Sequence, residues 1–253
     1  YHSLEHFFKN YTKPFNTSNG RYEYGLATFY HMLAKKYDKN IVRTIWENFR
    51  TRETFDALEN ALKAYNTTLA SELADYTIWN IFTGDRTDTT LFYPEGSFYP
   101  MIEPSQSLTL STFISFNGAS KNLAWDYILV EPQLTGHYSL WPSFDDPFNW
   151  YYGMVHIPDE GRPSYGYSAG NCLKDLNNVR SFSQIWISPV NTTIPVSDHS
   201  SVTKNYGFSI EQGKAIPQKD EILSIVPNPF NITEHSSIEL RFRLAKPCDE
   251  VTI

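Results

Sequence analysis

The stretch Leu108-Thr109-Leu110-Ser111-Thr112-Phe113-Ile114 decides how the chain is read. Leu108, Leu110, Thr112 and Ile114 fall on one side of an extended backbone and Thr109, Ser111 and Phe113 on the other, the period of two that marks a strand. Just before it, Tyr93-Pro94-Glu95-Gly96 reads as a turn. Upstream of that turn the period is that of a helix. Leu26, Phe29, Tyr30, Leu33 and Tyr37 recur every three or four positions. Ile41, Ile45, Trp46 and Phe49 do the same, with Asn40 expected as their cap. Phe55, Leu58, Leu62 and Tyr65 form a third stripe. Leu69, Leu73, Tyr76, Ile78, Trp79, Ile81 and Phe82 form a fourth, ended by Gly84 as a C-cap. Short links between the stripes imply antiparallel helices.

Downstream, Trp125–Val130, Trp150–Ile157 and Phe182–Ile187 are further expected strands, separated by links such as Pro142-Ser143-Phe144-Asp145-Asp146-Pro147. The alternating Ile238, Leu240, Phe242 and Leu244 begin a third pattern. The expected fold class is α+β and multi-domain: an antiparallel helical unit at 1–100, an antiparallel β-sandwich-like domain at 101–220, and truncated Ig-like strands at 221–253. The run Glu250-Val251-Thr252-Ile253 reads as an unfinished strand, and the chain starts at Tyr1, so a piece of a longer protein is expected.

Composition narrows the function classes. Twenty-one Lys and Arg against 28 Asp and Glu give a net charge of −7. Clustered basic residues of the kind that bind phosphate are missing, which argues against nucleic acid as a partner. No run of about 18 apolar residues is present, so no membrane span is expected. Aromatic residues make up 16 % of the chain, 17 Phe, 17 Tyr and 6 Trp. That share suits both a packed core and a partly wet binding surface, where Tyr and Trp could stack on sugar rings; the packing role is preferred. Cys172 and Cys248 could pair or stay as thiols. Five N-x-S/T sequons, at Asn10, Asn16, Asn66, Asn191 and Asn231, are read as by-products of composition.

Among patterns that carry chemistry, His2-Ser3-Leu4-Glu5-His6 matches H-x-x-E-H, in which two His on one helix face bind zinc and the Glu activates water. A third ligand would come from later in the chain, Glu72 being one candidate. The competing reading, which is preferred, is an amphipathic helix with Phe7 and Phe8 inward. His31 reads as a packed or surface histidine. Asp145, Asp146 and Asn149 offer oxygens of the kind calcium takes, but without EF-hand spacing they read as a solvated loop.

Four segments carry a family resemblance: Tyr24–Leu33, Asp38–Glu47, Tyr76-Thr77-Ile78-Trp79-Asn80-Ile81-Phe82-Thr83-Gly84, and Phe92–Pro100 with its Y-P-E-G and Y-P. Together they resemble the downstream half of secreted bacterial zinc metallopeptidases of the gluzincin type, over about residues 1–100. The resemblance implies a parent enzyme that hydrolyses peptide or protein substrates, with its zinc-binding H-E-x-x-H and glutamate ligand upstream of this chain. It therefore implies no metal ligand here, no cofactor bound by these residues, and no activity of this chain by itself. Tyr22-Glu23-Tyr24-Gly25 fits the Y-x-x-G that opens a helix in gluzincin aminopeptidases. By that likeness Tyr22 is the candidate catalytic residue, its hydroxyl stabilising the oxyanion. The segments Pro227-Asn228-Pro229-Phe230, Ser237–Leu244 and Val251–Ile253 resemble a hook-capping-type Ig-like module used as a secretion sorting domain. That implies a secreted or cell-surface bacterial protein whose C-terminal part meets the secretion machinery. The alternative is a secreted, non-enzymatic binding or adhesion protein on a degenerate peptidase scaffold, with carbohydrate as a ligand.

Overall fold

The computed structural model describes residues 2–195, 202–213, 221–226 and 239–243, the last two stretches as backbone. Six helices come first: α1 (His2–Lys9), α2 (Tyr22–Gly25), α3 (Ala27–Lys36), α4 (Lys39–Asn48), α5 (Thr54–Lys63) and α6 (Leu69–Ile81). The expected stripes fall on α3 to α6, and Phe7 and Phe8 of α1 point into the core. The cap of α4 is Asp38, not Asn40. The Asp38 carboxylate accepts the Asn40 backbone N–H at 2.6 Å, which an Asp at the N-cap does well because its acceptor reaches an otherwise unpaired amide. Helix α6 opens with a capping box between Thr68 and Ser71. The C-cap of α6 is Phe82, not Gly84; Gly84 lies two residues further on and opens a short 3-10 turn, Gly84–Arg86, with φ +59°, a conformation that favours glycine.

Two sheets follow. Sheet A has the order β1 (Gln106–Leu110), β4 (Ile128–Pro132), β9 (Gln184–Asn191), β6 (Trp150–Ile157), β7 (Ser164–Ala169), with the short β3 (Ala124–Trp125) also paired to β9. Sheet B has the order β2 (Phe113–Lys121), β10 (Thr203–Gly213), β5 (Gly136–Phe144), β8 (Lys174–Val179). The backbone of β11 (Glu221–Val226) pairs antiparallel with β12 (Glu239–Arg243). The remaining residues on which the Ig-like resemblance rests, Pro227–Phe230 among them, lie outside the described residues, as does Cys248.

The sandwich forms because the inner faces of both sheets are apolar. Ile128, Val130, Trp150, Tyr152, Met154, Ile185 and Ile187 of sheet A meet Tyr138, Leu140, Phe144, Leu176, Tyr206, Phe208 and Ile210 of sheet B. The opposite face of sheet A is apolar too. Leu129, Val155, Trp186 and Val190 share a core with Phe7, Phe29, Leu73, Tyr76, Ile78 and Phe82 from the helices. Sheet A is thus the middle of three layers, with packing continuous across residue 100. Helix α6 comes closest at Gly153, where an added Cβ would sit 2.7 Å from Thr77 Oγ1 and 3.2 Å from the Ala74 carbonyl.

Several strands differ from expectation. Leu108–Ile114 is not one strand. The chain crosses between sheets at Ser111-Thr112, so Leu110 and Ile114 face the same core from opposite sides. Trp125–Val130 breaks at Asp126-Tyr127, where Tyr127 turns to the helices and donates to the Thr77 carbonyl at 3.2 Å. Phe182 lies in a turn with φ +66°, and the strand begins at Gln184. The pair β1–β4 is parallel in otherwise antiparallel sheets. Trp125 and Trp150 are buried; with Trp186, Tyr22, Tyr76, Tyr93, Tyr127, Tyr138 and Tyr152 they account for much of the aromatic content as core.

Gly153→Val should destabilise the fold by about 1–3 kcal/mol, the cost of overpacking a tight contact. Gly166→Ala on β7, where an added Cβ meets nothing within 4 Å, should change stability by less than about 0.5 kcal/mol. Urea unfolding of both variants checks the contrast.

Candidate functional site

Helix α6 carries a carboxylate on its apolar face. Glu72 lies three residues after Leu69 and four before Tyr76, and it is fully buried. Such a group persists only if it is paired and hydrogen-bonded. Its partners come from the end of α3 and the loop before α6. Lys36 Nζ donates to its two oxygens at 3.0 and 2.9 Å, the Tyr37 hydroxyl at 2.6 Å, and the Thr67 hydroxyl at 2.6 Å. The same Lys36 ammonium donates to Asp75 Oδ2 at 2.7 Å. One cation therefore serves two carboxylates. Burial pushes the Asp75 carboxyl above its ordinary range; Lys36 pulls it back, and the negative charge of Glu72 adds to the rise. Tyr167 of β7 lies within electrostatic reach of Lys36, Glu72 and Asp75. The cluster pins α3 to α6 and places a titratable carboxyl beside the edge of sheet A.

This cluster was legible in principle, because an acidic residue at a stripe position calls for a buried partner. The helical period shows where Glu72 points; it does not show that Lys36 lies opposite.

The residues singled out from sequence lie elsewhere. Tyr22 is buried in the helical core, and its hydroxyl donates to the Lys13 carbonyl at 2.8 Å. Burial raises its pKa well above the ordinary tyrosine value, so the phenol keeps its proton. In the same Tyr22-Glu23-Tyr24-Gly25 segment, Tyr24 is the exposed tyrosine. His2 and Glu5 are exposed and His6 is half-buried. Among the described residues no group of three or more His, Cys, Asp or Glu side chains comes together to hold a metal ion, so Glu72 does not join the α1 histidines. His31 Nδ1 lies 3.2 Å from the Tyr99 hydroxyl. Asp146 Oδ2 accepts from Asn149 at 2.7 Å and from Lys204 Nζ at 2.8 Å, an ion pair that ties the loop to β10.

Two of the four segments that carry the family resemblance, Tyr76–Gly84 and Phe92–Pro100, meet in one aromatic knot. Trp79 meets Phe92 and Tyr93 edge-on at 5.5 and 5.0 Å, Phe82 stacks on Phe92 at 4.1 Å, and Tyr93 meets Tyr99 at 5.2 Å. Polar groups tie the same residues: Tyr93 donates to Asn80 Oδ1 at 2.9 Å, and the Thr83 hydroxyl donates to the Pro100 carbonyl at 2.8 Å. Trp141 lies on the outer face of sheet B, between Ser139 and Ser143 along β5 and opposite Ser209 of β10.

No family model matches this sequence, and no curated protein does. Solved structures similar to part of the chain include the periplasmic g-type lysozyme inhibitor PliG of Aeromonas hydrophila, at 9 % identity and TM-score 0.28, over 43 % of this chain and 100 % of that one. They include the Yersinia pseudotuberculosis-derived mitogen, at 12 % identity and TM-score 0.30, over 41 % and 88 %. They also include the pre-peptidase C-terminal domain of a collagenase from Bacillus anthracis, at 9 % identity and TM-score 0.28, over 43 % and 98 %. Among the described residues no helix is long and apolar enough to cross a membrane.

Lys36→Met should cost about 3–5 kcal/mol, because it strands Glu72 as a buried unpaired charge, while the double change Lys36→Met with Glu72→Met should cost clearly less. Chemical denaturation of the two single variants and the double variant checks this. The Asp75 pKa is raised in the folded chain, so the native state takes its proton first. As pH falls through the folded value toward the unfolded one, Asp75 adds stability relative to neutral pH. Asp75→Asn should remove that contribution, so the melting temperature of the variant should fall further than that of the parent chain between pH 7 and pH 4.

Proposed function

We propose that this chain is the downstream part of a secreted bacterial zinc-dependent peptidase that hydrolyses peptide or protein substrates. The observation that supports this reading is the aromatic knot. The W-N-x-F-T-G run, the Y-P-E-G turn and the following Y-P sit apart in sequence and interlock in space, as expected of a scaffold signature inherited as a unit. The described residues do not fit a zinc site, so the metal, which supplies Lewis acidity and an activated water in such enzymes, belongs in this reading to residues outside the chain. The helices and sheet A then brace a catalytic segment carried upstream. For Tyr22 to serve as an oxyanion donor, its hydroxyl must leave the Lys13 carbonyl. The C-terminal strands belong in this reading to a sorting module.

Joining the chain to its upstream coding sequence should give a protein with about one zinc per chain and chelator-sensitive hydrolysis of peptides, while residues 1–253 alone give none. A joined protein with neither zinc nor hydrolysis sinks the reading. In the active form, Tyr22→Phe should lower kcat by about 100- to 1,000-fold if Tyr22 holds the oxyanion. An unchanged rate with lowered stability assigns it to packing.

A second reading, a secreted non-enzymatic binding protein for carbohydrate, is favoured by Trp141. A half-buried indole on a sheet face beside the hydroxyls of Ser143 and Ser209 suits a sugar ring, which stacks its C–H face and hydrogen-bonds at its rim; the Ser139 hydroxyl is committed to Asp175. Glycan-array binding that disappears in Trp141→Ala would support it, and an array without signal removes it.

A further inference from the structure

Strand β7 is an edge of sheet A with no charge, proline or bulge within its length. Edge strands normally carry a charge, a proline or a bulge, because their open backbone otherwise pairs with another chain. The edges of sheet B follow that rule: β2 ends in Lys121, while β8 opens with Lys174-Asp175 and its pairing with β5 is irregular in register; the five-residue β1 at the other edge of sheet A is uncharged, like β7, and pairs in parallel with β4. Between its ends β7 reads Ser164-Tyr165-Gly166-Tyr167-Ser168-Ala169, uncharged, in unbroken register with β6 over six residue pairs.

The direction of its open hydrogen-bonding groups is fixed by neighbouring bonds. Gly170 N–H donates to the Trp150 carbonyl, and Thr192 N–H donates to the Asn149 carbonyl. In antiparallel ladders the bonding direction alternates along the strand. Even-numbered residues of β7 therefore turn their amides to β6, and Tyr165, Tyr167 and Ala169 turn theirs away from the sheet. Among the described residues no backbone hydrogen bond joins that open edge to another element. The tyrosine rings stand on the helical side, where Tyr165 meets Phe92 at 5.1 Å and Tyr167 meets Tyr151 at 6.3 Å, and both stay more than one-third exposed.

The sequence of this edge also names its partner. Ser164-Tyr165-Gly166-Tyr167-Ser168 reads the same in both directions. We propose that β7 pairs antiparallel with β7 of a second copy of this chain about a two-fold axis through Gly166, joining two A sheets into one. In that register Tyr165 lies opposite the partner's Tyr167 and exchanges both backbone hydrogen bonds with it, and the symmetry repeats the pair. Ser164 lies opposite the partner's Ser168. The tyrosines form cross-strand aromatic pairs on the helical side, a favourable combination. Gly166 meets the partner's Gly166 on the axis as a non-hydrogen-bonded pair, with Cα atoms about 4.5 Å apart. Pro163, which lacks an N–H, ends the ladder. An interface of this size falls with weak, transient contacts, below about 1,200 Å².

The test uses the full chain with Cys172→Ser and Cys248→Ser. Gly166→Cys places two thiols at the axis within the Cα separation of about 4.4–6.8 Å that a disulfide spans. Mild oxidation should convert it to a covalent dimer. Ser164→Cys and Ser168→Cys should each fail to crosslink alone and should crosslink when mixed. Sedimentation of the parent chain should show dimer growing from about 1 µM to 500 µM, as a weak interface requires. Gly166→Lys, which meets open space in the monomer, should keep the native circular dichroism and weaken dimerisation at least tenfold by placing like charges face to face. A chain that stays monomeric throughout this range, a Gly166→Cys variant that does not crosslink, or a Ser164→Cys variant that crosslinks with itself as well as Gly166→Cys does, overturns the proposal. A monomer whose β7 is instead filled by an extended peptide or another segment of the chain would give the first two results.

Discussion

Everything in this fold depends on sheet A being buried on both faces. A strand covered on one side alternates apolar and polar residues; one covered on both is apolar throughout. Strands β4, β6 and β9 come close to the second kind, buried along most of their length, and their apolar residues divide by parity between two cores. On β9, Ile185 and Ile187 go to the sandwich, while Trp186 and Val190 go to the helices. The helical layer approaches this sheet closely at a glycine, Gly153, and is braced within itself by the Lys36 cluster. The first sets how near α6 can lie; the second fixes how α3 is oriented on α6.

The helical half was largely legible because each helix keeps one apolar stripe, and period and outcome agree from Leu26 to Phe82. The strands of sheet B and the central strands of sheet A were harder. Period two says which side of an extended backbone a residue takes. It does not say which sheet the strand has joined. Leu110 and Ile114 keep the same parity across the corner at Ser111-Thr112, so the alternation runs through unbroken while the chain changes sheets. Asp126-Tyr127 hides a break in the same way, since Tyr127 is as apolar as its neighbours and only its hydroxyl, bonded to the Thr77 carbonyl, shows that it has turned.

The site was legible in a different measure. The segments Tyr76–Gly84 and Phe92–Pro100 stood out by residue type, and the structure accounts for their spacing as a knot of rings and two side-chain hydrogen bonds. That account is one of architecture. The Lys36–Glu72–Asp75 cluster was not read from sequence. Its components lie 36 and 39 positions apart, on helices whose mutual placement no period reveals. Tyr22 and Tyr24 show the limit most plainly. Two residues apart in one short helix, one has its hydroxyl sealed against a carbonyl and the other stands in solvent.

The path of the chain between the sheets has a kinetic consequence. It visits A, B, A, B, A, B, A and B in turn from β1 to β10, with β3–β4 and β6–β7 as consecutive pairs within sheet A. Most strand partners are therefore distant in sequence; β2 waits for β10, with Lys121 opposite Thr203. Neither sheet can be completed until nearly the whole sandwich has been synthesised. Large loops must close before the contacts that reward them exist, which makes folding slow and leaves edges exposed meanwhile. The helices, whose contacts are local, form early by comparison and offer sheet A a surface to condense upon. The N-terminal layer thus acts as a template in time as well as a layer in space.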